Sequence, residues 1–137
     1  MRSSPPRAAR PESALLALLL ASCGASGPRV PDADEARAVT YAGRADASFR
    51  AGEREQAFSL ATRALVVRLA ACGYDCPEVG VSFVQLGDLR LENGQAGWAA
   101  QSYRKALEVF EPHRKSHAKW IRATEARLAL AKKHDRR

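Results

Sequence analysis

The chain is expected to fold as an all-α domain built from antiparallel helical hairpins, about five helices stacked in a short row. Three observations lead there. From Asp34 onward alanine and leucine dominate while glycine and proline stand at boundaries, a composition that suits helices. The same stretch repeats its small and apolar positions 42 residues apart. Within each copy those positions fall at i, i+4, i+7 and i+8, which gathers them on one helix face.

The first segment, residues 1–22, is not part of that pattern. Arg2, Arg7 and Arg10 form a basic start, residues 14–21 (ALLALLLA) an apolar run, and small residues then lead into Cys23. The run is too short for a permanent span, which needs about 20 apolar residues. Leu20-Ala21-Ser22-Cys23 resembles the lipobox of bacterial lipoproteins. The resemblance implies a diacylglycerol on the Cys23 sulfur, cleavage before it, and anchoring by several acyl chains, each buried methylene contributing about 0.8 kcal/mol. An ordinary secretory signal with an incidental cysteine, or an uncleaved anchor, is the alternative reading. Gly24 stands where inner-membrane retention signals of that family carry Asp, so the resemblance favours the periplasmic face of an outer membrane, in a source that has one. Residues 23–33 then read as a lipidated tether to the folded part at 34–134, with 135–137 a basic tail end.

The helices follow in order. The first is expected over 35–51 and closes at Gly52; the second runs 54–71. A linker bearing Cys72-Gly73-Tyr74-Asp75-Cys76 precedes a third over 78–93, with Pro77 near its start, where a missing N–H costs least. Asn93-Gly94 turns the chain into a fourth over 95–110, and Pro112 separates it from a fifth over 117–134. Each tight turn implies an antiparallel hairpin.

The internal repeat is specific. Gly52, Ala57, Ala61, Ala64 and Leu65 recur as Gly94, Ala99, Tyr103, Ala106 and Leu107. Ala45 corresponds to Gly87, and a further step of 42 reaches Ala129, preceded by Leu128 as Gly87 is by Leu86. Small residues there let two helices approach closely. The segment from Leu86 to Leu107 resembles the tetratricopeptide repeat at Leu86, Gly87, Gly94, Ala99, Tyr103 and Ala106-Leu107. The earlier copy departs from that motif in its first helix, where Arg44 and Ala45 occupy the Leu-Gly place, and the third copy is a single capping helix. The usual period is about 34 residues; the longer one resembles the variant in kinesin light chains and many bacterial proteins. A stack this short is expected to have a partner, to form a homodimer, or to be modestly stable.

Charge is unevenly spread. The whole chain carries +7, and residues 112–137 account for that much alone: nine cations (Arg114, Lys115, Lys119, Arg122, Arg127, Lys132, Lys133, Arg136, Arg137) against Glu125 and Asp135. A basic end points to nucleic acid or anionic lipid. Export argues against nucleic acid and leaves anionic head groups, an acidic protein, or a solvated helix with no dedicated partner.

Cys72 and Cys76 are four apart, neither the spacing of redox CxxC helices nor of haem attachment. A disulfide, free thiols, and redox or metal chemistry all remain open for them. His113 and His117 can share a helix face, but Lys115 and Lys119 beside them oppose a cation, and solvated histidines at a helix start are the expectation. Trp98 reads either as an exposed contact aromatic or as packing against the next hairpin, and Trp120 as sealing the end of the core. There is no phosphate-binding glycine loop, nucleophile elbow or metalloprotease helix, so neither catalysis nor a cofactor is expected.

The resemblance to tetratricopeptide repeats implies a concave groove lined by the first helix of each copy. Carried over residue by residue, it contains Asp46, Phe49 and Arg50, then Val84, Asp88, Leu91 and Glu92. The expected function is a lipid-anchored adaptor that holds an envelope protein through an extended peptide or helix. Pilotins for secretins and scaffolds for peptidoglycan enzymes share that architecture. A membrane- or wall-associated electrostatic binder acting through Lys132, Lys133, Arg136 and Arg137 is the alternative, with a ligand or metal carrier built on the CGYDC loop a third reading.

Overall fold

The computed structural model describes residues 33–136, and all the regular structure among them is helical. The signal segment 1–22, Cys23, most of the tether and Arg137 lie outside the described residues. Helix α1 spans Ala33–Arg50, α2 Arg54–Cys72, α3 Pro77–Glu92 and α4 Ala96–Phe110. A short 3-10 turn, Glu111–His113, leads into α5, Arg114–Asp135. The expected boundaries hold to within two residues except at α5, which starts three residues early and carries a non-helical His117 (φ −115°, ψ 21°). Pro112 sits in the first turn of the 3-10 segment, where its missing N–H interrupts no α-helical bond.

The 42-residue repeat extends to the backbone. At the end of α1, Gly52 adopts φ +83°, its N–H donates to Phe49 O at 3.0 Å, and the Glu53 N–H donates to Ser48 O at 2.9 Å. At the end of α3, Gly94 adopts φ +76°, its N–H donates to Leu91 O at 3.0 Å, and the Gln95 N–H donates to Arg90 O at 2.8 Å. These are the same helix stop, with a left-handed glycine and a six-to-one bond, made twice. The first helical bonds of α2 and α4 match as well, Ala57 N–H to Glu53 O and Ala99 N–H to Gln95 O.

Two glycines set the register of the second hairpin. A β-carbon built on Gly80 would lie 2.6 Å from the Phe110 ring, and one on Gly87 would lie 2.5 Å from the Tyr103 ring. The glycines ascend α3 as the aromatics descend α4, so the two helices are antiparallel and nearly touching. Tyr103 and Phe110 are fully buried, and with Val79, Leu86, Leu89 and Val109 they form the centre of a core shared with Leu60, Ala61 and Leu65 of the first hairpin. Helix α5 closes it with Ile121 and Ala131.

One expectation fails here: Ala129 is exposed, because α5 has no following helix against which its small face could pack. The cysteines stand at the two ends of the linker, with Cys72 the last residue of α2, Cys76 capping α3, and Gly73, Tyr74 and Asp75 between them.

Candidate functional site

A groove of about 750 Å³ crosses α1, α3 and α5. Asp46, Phe49 and Arg50 line it from α1, and Val84, Asp88 and Glu92 from α3, as the carry-over placed them. Val84 is a floor residue, only 3% exposed. Leu91 is not in the groove; it packs partly buried against the core. Helix geometry gives the reason: at about 100° per residue Leu91 lies roughly a quarter turn from the face shared by Val81, Gln85, Asp88 and Glu92. Val39, Val81 and Gln85 join the lining, and α5 contributes Trp120 and Arg127.

Trp120 therefore does not seal the core. It meets Phe110 at 6.0 Å between ring centroids, but it is 39% exposed and its free side borders the groove. Trp98 lies on the opposite hairpin edge, 59% exposed, with the Arg90 guanidinium 5.8 Å over its ring.

Polar groups in the groove are held by one another. Asp88 Oδ1 accepts from the Tyr103 hydroxyl at 2.7 Å and from Arg127 Nε at 3.0 Å, which ties α3 to α4 and α5. Burial and that bond to Asp88 push the Tyr103 phenol well above its ordinary range, with Arg127 pulling the other way. Gln85 Nε2 donates to Ala42 O and to Asp46 Oδ1, both at 2.8 Å, joining α3 to α1. Arg50 donates from Nε to the Asp46 carbonyl at 3.2 Å, and Glu92 makes no ion pair. Asp46, Gln85, Asp88 and Arg127 are thus held in place beside the apolar lining residues Val39, Phe49, Val81 and Trp120.

Sequence reasoning missed the ion pair behind these residues. Arg68 is 6% exposed; it donates to both Glu35 oxygens at 3.0 and 2.7 Å and from Nη1 to Ser82 Oγ at 2.9 Å. The signal was a lone arginine in the apolar run Ala64-Leu65-Val66-Val67-Arg68-Leu69, where the second copy carries Phe110.

The remaining candidates are accounted for by their neighbours. Cys72 and Cys76 are bonded across a Cα separation of 5.9 Å. Glu78 lies beside them, its carboxylate within 4.8 Å of both sulfurs, but bonded sulfurs have no thiolate to offer a cation. The histidines are half-buried and engaged on one side: His113 Nε2 bonds to Asp75 O at 2.6 Å, and His117 stacks on Phe110 with centroids 5.9 Å apart. Lys132 and Lys133 on α5 and Arg136 just past its end are exposed with no carboxylate partner among the described residues, and Cys23 and Arg137 lie outside those residues. No helix among the described residues is long and apolar enough to cross a membrane. No protein-family model matches the chain, and no curated protein matches it.

Proposed function

We propose that the protein is a non-enzymatic adaptor: a lipid-anchored, tetratricopeptide-like helical stack that holds another envelope protein in its groove. One observation carries the reading. The groove runs across α1, α3 and α5 and sets apolar lining residues beside polar groups held in place, with Val39 more than half exposed at its mouth. Apolar anchors beside oriented polar groups suit a peptide or helix, which contributes side chains at regular intervals. The anchor at Cys23 rests on the lipobox residues, and the repeat family on the motif residues from Leu86 to Leu107.

The test is site-specific photocrosslinking of the full chain in its own envelope. A photoreactive phenylalanine analogue replaces Val39, or Arg63 on the outer face of α2 as a control. The expected result is one adduct of defined mass from position 39 and none from position 63. Asp46→Arg together with Arg50→Glu should weaken it by about tenfold or more, the equivalent of roughly 1.4 kcal/mol. Cys23→Ser should abolish it by removing the anchor. Equal adducts from both positions, or none from position 39, would overturn the adaptor reading.

A further inference from the structure

The outward side of α5 is a second surface, separate from the groove. Beyond the kink at His117 the helix continues to Asp135. At about 100° per residue, Lys119, Arg122, Ala126, Ala129, Leu130 and Lys133 fall within one arc of roughly 100°. All six are exposed, Leu130 at 47%. None of the three cations pairs with a carboxylate among the described residues. The two acids of this helix do not share the arc: Glu125 lies just outside it, and the Asp135 carboxylate lies against Gly97 at the start of α4. The opposite side, Ile121, Thr124 and Ala131, is buried.

We infer that this face rests on an anionic lipid bilayer. Its cations stand at the two ends of an apolar centre, about 16 Å from Arg122 to Lys133 at 1.5 Å per residue. There is no pocket or paired donor set to read a particular group. A helix side with small and apolar residues between lysines and arginines fits a plane of head groups, where the charges meet phosphates and Leu130 reaches the acyl boundary. A second copy of the chain is disfavoured, because the isologous contact would set cation against cation. The inference uses the envelope location read from the sequence, but it does not depend on what occupies the groove.

Vesicle co-sedimentation of the full chain carrying Cys23→Ser, and therefore unlipidated, tests it. Phosphatidylglycerol–phosphatidylcholine vesicles are compared with phosphatidylcholine alone; the apolar segment 14–21 is present throughout, so the difference between vesicles and variants reads the face. Lys119→Gln/Arg122→Gln/Lys133→Gln is set against Arg44→Gln/Arg63→Gln/Arg104→Gln, which removes as many exposed cations from other helices. At about fivefold in affinity per cation near the surface, the first triple should weaken binding to the anionic vesicles about 100-fold and the second by less than about threefold. Leu130→Asn should weaken it further, and the helical circular dichroism of every variant should match the parent. An equal loss from both triples, or equal binding to both vesicle types, would overturn the inference. So would tighter binding of the parent to a 30-base-pair duplex, lost in the first triple, which would make nucleic acid the occupant. Val39 crosslinking is indifferent to these changes, so failure here and failure of the adaptor reading are separable.

Discussion

Arg68 brings a full positive charge into the layer between α1, α2 and α3, and its partner is less buried than itself. The Arg68 side chain is 7% exposed and that of Glu35 32%. Removing one member of a buried pair is costly chiefly because the other is left without compensation. The two deletions should therefore differ. Glu35→Ala strands the guanidinium among Ser82 and apolar neighbours and is expected to cost about 3 kcal/mol. Arg68→Met leaves a carboxylate that can turn to water and fills the vacated space with an apolar side chain, so about 1 kcal/mol is expected. Urea unfolding of both variants measures the difference; equal losses, or a larger one for Arg68→Met, would refute the asymmetry. Single residues were legible in the sequence where backbone geometry dictated them, as at Gly52 and Gly94. They were illegible where the partner came from a distant helix. Glu35 and Arg68 are 33 positions apart, and Asp88 carries no mark in the sequence that it binds Tyr103 and Arg127.

At the scale of helices, the contact between α3 and α4 depends on glycine as an absence. In the interior of a helix a glycine costs up to about 1 kcal/mol relative to alanine, so alanine ought to stabilise at either Gly43 or Gly87. Their surroundings decide otherwise. A β-carbon at Gly43 meets nothing within 4 Å, whereas one at Gly87 meets the Tyr103 ring at 2.5 Å. Gly43→Ala is expected to stabilise by about 0.5–1 kcal/mol. Gly87→Ala is expected to destabilise by about 1–3 kcal/mol through overpacking, because Tyr103 is fully buried and held by Asp88. Thermal and urea denaturation of the pair would read opposite signs; a stabilised Gly87→Ala would show that the two helices slide apart freely. The 42-residue alignment marked Gly87 as a small position where helices approach closely; that Tyr103 is the residue it meets comes from the packing alone. The fifth helix was less legible. Its start was hidden because Pro112 lies in a 3-10 turn that passes directly into helix, so no break separates Phe110 from Arg114. Leu91 was assigned to the groove by counting positions along a motif, without the quarter turn that carries it to the core.

Across the whole described unit, cohesion is uneven. Within the second hairpin and between α4 and α5 the packing is aromatic and continuous, built on Tyr103, Phe110 and Ile121. The first hairpin has no buried aromatic of its own, and Ala38, Ala45, Ala57, Ala61 and Ala64 fill its inner faces. Its links to the rest are the contact of α2 with α3, the Cys72–Cys76 bond across that turn, and polar bridges from Gln85 to Ala42 and Asp46, from Arg68 to Ser82, and from Arg54 to Asn93. In a linear stack each hairpin is stabilised mainly by its neighbour, so the one with the smaller interface opens first. Both tryptophans, Trp98 and Trp120, belong to the second half, so their emission is weighted toward it. Helical circular dichroism reports on all of it. The two signals are therefore expected to separate in urea, with dichroism falling at lower concentration than tryptophan emission. Gln85→Ala, which cuts a bridge without touching the second hairpin's core, should widen the gap by moving the dichroism midpoint alone. Repeating the titration at tenfold higher protein concentration tests the homodimer in the same experiment, since dissociation on unfolding would raise both midpoints. Coincident transitions in the parent and in Gln85→Ala would mean that the alanine-lined interface couples the hairpins as tightly as the aromatic one does. The unit would then unfold as a single body.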